Sequence, residues 1–413
     1  MSDVEGASPM DVDVIVVGLG SMGSAAVDHL AARGVNVLGF EQFGPVHQLG
    51  SHHGGSRIVR LSYFEHPSYV PLLRRAFELW DDLQGYAESE GEERVIHYCG
   101  GLYAGSPDCA TYAGSLLAAR EHGLDVELLT ADECNRRFPQ FTLAKEEVAL
   151  FEKKAGFVRP ELTVGLQLRR AAAHGADLRF NQKVREVTDS GGSQGVAVTT
   201  EEGTFRAPKA IITAGAWAPK LFESASIPQF AERQVMYWFT PTDAEGDPTA
   251  LAETFASGPV YIHETTDTAQ IYGFPASDGP EGGAKVAFFR KGRPTDPDEV
   301  DRVVTEEEVA AMQQRLTSFA PALAAGALVD AKACMYTTTP DEHFVIGPHP
   351  SPTSPNTAIA CGFSGHGFKF VPVVGEILAD LALTGETAHD ISLFDPLRFS
   401  EVRAAQKPAA ELR

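Results

Sequence analysis

Three widely separated stretches share one pattern: an apolar β-rich run, a small-residue turn, then helical spacing. In the first, residues 13–17 (DVIVV) form a short β-branched run of the kind that makes a buried parallel strand. Gly18, Gly20 and Gly23 follow, Ala25, Ala26, Leu30 and Ala31 continue at helical spacing, and Val35 to Phe40 reads as the next strand, ending at Glu41. In the second, KAIITAGAWAPKL (209–221) predicts a strand, a turn containing Gly215 and Trp217, and a helix. In the third, NTAIACGFSGHGFKF (356–370) predicts a strand, a glycine-rich turn and a helix from about Phe370. Between the last two, QVMYWFT (234–240), PVYIHE (259–264), QIYGFP (270–275) and AKVAFF (284–289) alternate or run β-rich, which predicts an antiparallel sheet. Helices are expected over 70–84, 109–122, 160–174 and 305–318. No internal repeat is visible, and the class is α/β.

The first stretch carries chemistry. Gly18 allows a sharp turn off the strand, Gly20 lets backbone approach a pyrophosphate, and Gly23 lets the helix pack close to the strand. Ser21 and Met22 open a helix whose N-terminal N–H groups and dipole favour an anion. Glu41 stands 18 residues past Gly23, where an acid accepts hydrogen bonds from ribose hydroxyls and repels a 2′-phosphate. This order predicts dinucleotide binding. Glycine-rich turns recurring near positions 20, 215 and 365 imply a large cofactor wrapped by distant segments, which favours FAD over NAD.

Composition narrows the class further. The chain has 413 residues and 43% hydrophobic content, which is long for one core and fits two domains. A net charge of −22 disfavours nucleic acid and anionic membrane as partners. Five cysteines with no CxxC pair argue against a disulfide framework or a zinc site, so no metal is expected. The acidic opening MSDVEGASPMDVD has no apolar core of a signal peptide, and no apolar run approaches the roughly 18 residues a membrane helix needs. The expected location is cytoplasmic.

Four stretches, GLGSMGSAA (18–26), GSHHGGSRIVR (50–60), CMYTTTPDEHF (334–344) and GFSGHGFKF (362–370), carry a family resemblance. The chain resembles the flavin amine oxidases of the monomeric sarcosine oxidase and N-methyltryptophan oxidase type, within the D-amino acid oxidase superfamily, from about residue 12 to residue 395. The resemblance implies an FAD-binding Rossmann-like domain of the glutathione-reductase type, discontinuous over 1–95, 152–228 and 337–413. An inserted antiparallel-sheet substrate domain would cover 96–151 and 229–336. It places a thioether from Cys334 to the 8α-methyl carbon of the flavin. It implies that Arg57 contacts flavin, that Arg60 and Lys369 grip a substrate carboxylate, and that Lys285 activates O2. Tyr272 and Tyr336 would line the pocket and Tyr63 would sit on a mobile loop. Cofactor contacts would also come from Ser51, His52, Val184, Gly215, Trp217, Gly362, Gly365, His366 and Gly367.

The implied reaction oxidises a secondary or tertiary amino acid to an iminium ion, which water hydrolyses to an aldehyde and a shorter amine, while O2 becomes H2O2. A monomer is the family expectation. One departure is visible: Phe289 stands where the family often has a histidine, which points to an N-alkylated amino acid bulkier than sarcosine. A tailoring oxidase of a cyclic imino acid, and a flavin dehydrogenase with a protein electron acceptor, fit the same scaffold.

Overall fold

A computed structural model describes residues 11–221, 227–243, 245–247, 251–264, 270–279 and 281–399. The chain forms two compact units. One comprises Met1–His52, Glu161–Ala231 and Tyr336–Arg413; the other comprises His53–Pro160 and Glu232–Met335.

The first unit is built on a six-stranded sheet ordered Val345–Pro348, Thr357–Cys361, Lys209–Ile212, Val14–Val17, Val37–Phe40, Asp177–Arg179. All neighbours run parallel except Val345–Pro348, which is antiparallel to Thr357–Cys361. Val14–Val17 is buried on both faces, as expected of a strand inside a parallel sheet. Ile15, Val17, Leu38, Phe40 and Ile212 join Val196, Val198 and Ala207 of a small three-stranded antiparallel sheet in one core.

Helices Ser21–Ala32 and Val371–Thr384 approach closely. A Cβ on Gly375 would lie 2.5 Å from Ala25 Cβ, so only glycine fits that crossing. Helix Pro160–Ala173 is tied to the first helix by Arg170, whose Nε and Nη2 donate to the buried Asp28 carboxylate at 2.8 and 2.6 Å. Such a fork pairs a charge that burial would otherwise penalise.

The second unit contains a nine-stranded sheet. Phe230–Phe239 pairs antiparallel with Ala284–Phe288, which pairs antiparallel with Gln270–Gly273, which in turn pairs antiparallel with Val260–Glu264. Val260–Glu264 then runs parallel to Gly101–Gly105, so the sheet expected to be antiparallel contains a parallel pair. Leu328–Thr338, which carries Cys334, pairs with Phe230–Phe239. Phe141 stacks on Phe319 with ring centroids 4.9 Å apart and meets Tyr261 edge-on at 4.8 Å in the core of this unit. Helix Glu306–Leu316 starts on a reciprocal cap: Glu308 N donates to Thr305 Oγ1 and Thr305 N to Glu308 Oε2.

Residues 53–95 pack in the second unit, where the sequence boundaries had placed them with the cofactor domain. Arg57–Val59 and Ile96–His97 both pair antiparallel with Gly156–Val158, which stitches the segment to the later chain. The long helix there runs Val70–Ser89, past the expected end at 84, because Leu83 and Ala87 extend its buried face by another turn.

Candidate functional site

In the first unit the glycine motif divides into two kinds of glycine. Gly18 has φ +89°, and a Cβ there would sit 2.7 Å from Thr213 O. A Cβ on Gly23 would sit 1.7 Å from Gly18 O. Both are therefore demanded by the turn's own packing. A Cβ on Gly20 would meet nothing nearer than His52 Nδ1 at 3.8 Å, so no protein atom requires glycine at that position. The open face is where a pyrophosphate would approach backbone. The helix beginning at Ser21 has no side-chain cap and no acid in its first turn, which leaves its dipole available to an anion. These features fit the dinucleotide.

Glu41 is 6% exposed. Its Oε2 accepts from Leu19 N at 2.9 Å, its Oε1 from Phe43 N at 3.1 Å, and His47 Nε2 lies 3.4 Å away. The acid thus locks the glycine turn; an ionised carboxylate has further lone pairs for ribose hydroxyls. Gly215 has φ +53° with open space at its Cβ position, and Trp217 packs edge-on against Phe43 at 5.4 Å. Val184 belongs to the apolar core, Ser51 is exposed, and buried His52 meets His47 edge-on at 5.3 Å.

The third glycine turn receives Tyr336: a Cβ on Gly365 would lie 2.4 Å from its ring. Gly362 has φ +62°, and a Cβ on Gly367 would lie 2.5 Å from the Phe363 ring. The polar run after Cys334 serves this turn. Ser364 N donates to Thr337 O at 2.8 Å, Thr339 Oγ1 to His343 O at 2.7 Å, and Arg398 Nε to Asp341 Oδ2 at 2.7 Å. His366 Nε2 pairs with Glu342 O at 3.0 Å. Lys369 is 6% exposed and donates to His366 O at 2.8 Å.

The second unit brings together Arg57, Arg60, Tyr272, Lys285 and Cys334. Arg57 donates to Ser56 O and His53 O, both at 2.7 Å, which shapes the loop it stands on. Arg60 is 2% exposed. Its guanidinium lies 4.3 Å from the ring centroids of both Tyr63 and Phe64 and 5.7 Å from that of Tyr103. Nη1 donates to Ser62 O and Nη2 to Glu65 Oε2, both at 2.6 Å. Burial opposes the charge on Arg60, but Glu65, Tyr63 and Tyr103 together outweigh it and hold the guanidinium's pKa above its usual value. Burial also pushes the Tyr63 and Tyr103 phenols well above the ordinary tyrosine range.

Two acids here had no sequence signal. Glu65 already gives Arg60 a carboxylate. Glu152, 2% exposed, accepts from Leu61 N at 2.7 Å, from Ser62 N at 2.9 Å and from Ser62 Oγ. Burial raises the Glu152 carboxyl pKa, and the Ser62 donors pull against that rise. Its partners, two backbone N–H groups and a serine hydroxyl, lie some ninety positions away, so no local motif announces it.

Lys285 is 2% exposed. Its Nζ donates to Gly54 O and Ser56 O, both at 2.9 Å, and lies 4.7 Å from the Phe274 centroid and 5.5 Å from that of Trp238. Tyr272 meets Phe274 and Phe289 edge-on at 5.9 and 6.4 Å, and Phe289 meets Phe64 at 6.4 Å. Cys334, 2% exposed, packs with Met236 and Ala287, against which Trp238 and Tyr272 lie. None of the five cysteines is in a disulfide. Among the described residues no helix is long and apolar enough to cross a membrane.

The profile of the FAD dependent oxidoreductase (DAO) family matches residues 13–381, and the chain belongs to that family. Within it the chain is 51% identical to monomeric sarcosine oxidase of Streptomyces avermitilis, over 95% of this chain and 99% of that protein. It is 34% identical to N-methyl-L-tryptophan oxidase of Salmonella dublin, over 95% of this chain and 100% of the relative. The open form of NikD, an unusual amino acid oxidase essential for nikkomycin biosynthesis, matches with a TM-score of 0.79 at 25% identity, covering 94% and 98% of the two chains.

Proposed function

We propose that this flavoenzyme oxidises N-alkylated amino acids, with O2 as the electron acceptor and H2O2 as a product. The observation that carries the reading is the frame around Arg60: a buried guanidinium between aromatic faces, already bonded to a carboxylate oxygen. A planar fork in such a frame recognises a substrate carboxylate through paired N–H donors. When bound, FAD supplies the two-electron chemistry that turns the amine into an iminium ion. Water then gives the aldehyde and the shorter amine.

The chain's own work is binding and orientation. Arg60 holds the carboxylate, and Tyr272, Phe289 and Phe64 form an aromatic wall beside it. That wall offers apolar and π faces and no titrating group from Phe289, so it favours a substrate larger or more apolar than sarcosine, taken up as the neutral amine. Buried Lys285, held by two backbone carbonyls, stabilises negative charge that develops on reducing O2. A thioether from Cys334 would anchor the cofactor, and the enzyme would act as a cytoplasmic monomer.

The same aromatic wall, with the likeness to NikD, supports a second reading in which the substrate is a cyclic imino acid. The test is a panel of sarcosine, bulkier N-methyl amino acids and cyclic imino acids, scored for O2 uptake and H2O2 release. The reading expects peroxide with a bulky N-methyl amino acid in preference to sarcosine. Electron transfer only to an artificial acceptor, with no peroxide, would overturn it.

A further inference from the structure

Met236 is 2% exposed and lies opposite Ala287 in the pairing of Phe230–Phe239 with Ala284–Phe288. It shares an apolar cluster with Ala287 and Cys334, flanked by Trp238 and Tyr272. Its position relative to Gly54 is the telling feature. Gly54 has φ +102°, and a Cβ there would lie 2.8 Å from Met236 Sδ, 2.7 Å from its Cε, and 3.6 Å from Lys285 Nζ. Met236 therefore fills the position a side chain on residue 54 would take, and its thioether sulfur and the Lys285 ammonium lie within about 4 Å of that one point. The Gly54 carbonyl also accepts from that ammonium.

We infer that Met236 is a self-modification site, oxidised to the sulfoxide by peroxide released beside Lys285. This rests on the oxidase reading above. The step balances: a sulfur lone pair attacks one peroxide oxygen, the O–O bond breaks, and methionine sulfoxide and water form. Sulfur loses two electrons and peroxide gains them. Burial shields Met236 from oxidant in bulk solvent, so the route favours peroxide made inside the protein. The product replaces a flexible apolar side chain with a polar one inside an apolar cluster. Activity is then lost in proportion to turnovers completed rather than time elapsed.

The experiment runs the holoenzyme through many turnovers with excess catalase in solution, measures O2 uptake, and maps sulfoxide at each methionine by peptide mass spectrometry. Peroxide release is assayed in a parallel reaction without catalase. Met312 and Met335, equally buried, are internal controls. The expected result is sulfoxide at Met236 rising with turnover number despite catalase, several-fold ahead of the controls, and an activity half-life several-fold longer in Met236→Leu. Peroxide release with Met236 unmodified, or modified only when catalase is omitted, would overturn the inference and leave the oxidase reading standing. No peroxide release at all would remove both.

Discussion

Replacing Glu152 by glutamine exchanges one oxygen for an NH2 on a side chain that holds the backbone just after Arg60. In the wild type, Oε1 accepts from Leu61 N, and Oε2 from Ser62 N and Oγ. An amide has one acceptor end. Whichever way it turns, an N–H of the glutamine faces an N–H of the loop, and one backbone donor is left without its acceptor. That costs about 1–3 kcal/mol. The loop carries Arg60 and its aromatic neighbours Tyr63 and Phe64, so the cost falls on the arrangement proposed to bind the carboxylate. If it is felt in substrate binding, KM rises roughly 5- to 150-fold while kcat stays within a few-fold. The dissociation constant of a non-oxidisable carboxylate should rise in parallel.

Global stability should respond differently. Burial raises the Glu152 carboxyl pKa, so folding favours its protonated form. Wild-type stability from this group is fully present below the unfolded carboxyl value, about 4.3, and falls as pH rises through the raised folded value. Glu152→Gln lacks that dependence and gains on the wild type across the same window. Steady-state kinetics, carboxylate titration and melting curves at several pH values test the reasoning. A KM within twofold of wild type, with unchanged carboxylate affinity, would refute the positioning role.

Other perturbations address the remaining groups. Lys285→Met should slow reoxidation by O2 roughly a hundred- to a thousandfold in stopped-flow traces, while anaerobic reduction by substrate changes far less. Phe289→His should move the ratio of kcat/KM between bulky and small N-methyl amino acids towards the small by roughly 10- to 200-fold, read from competition assays. Cys334→Ser should release FAD into an acid wash that leaves wild-type protein fluorescent on a denaturing gel. His263, stacked on Phe319, lies between Glu147 at Nε2 and Arg315 at Nδ1, with Glu264 nearby. Burial holds its pKa below the ordinary value against the pull of Glu147, so the unfolded imidazole takes up a proton first. Stability should therefore fall as pH drops below about 6.5, and His263→Gln should flatten that slope in pH-dependent melting curves.

What was legible in the chain follows from how local the physics is. The strand, glycine turn and helix around Gly18–Gly23 are determined over a dozen residues, and each glycine's demand can be reasoned from backbone approach alone. The helix expected over 305–318 is likewise local, and it starts on the Thr305–Glu308 cap. Pairing partners were less visible. Alternation marks 259–264 as a strand but does not say that its neighbour will be Gly101–Gly105 in parallel. The same holds for 53–95, whose place follows from strand pairing with Gly156–Val158. Within the site, Arg60 was legible by motif, and its partner Glu65 was not, because an acid five residues on in an irregular loop has no required spacing. Glu152 was hidden because its partners, two main-chain N–H groups and the Ser62 hydroxyl, lie some ninety positions away. Met236 read only as one apolar position in a strand; its relation to Lys285 and Gly54 depends on sheet register.

In the proposed reaction this flavoprotein passes electrons from an N-alkylated amino acid to O2. The most direct test is the stoichiometry of H2O2 and aldehyde formed from a bulky N-methyl amino acid under air, with the flavin spectrum followed in the same cuvette. Equimolar peroxide and aldehyde, with flavin bleached when O2 runs out, is the predicted result. Bleaching without peroxide would make the enzyme a dehydrogenase, and no bleaching with any N-alkylated amino acid would contradict the substrate class itself.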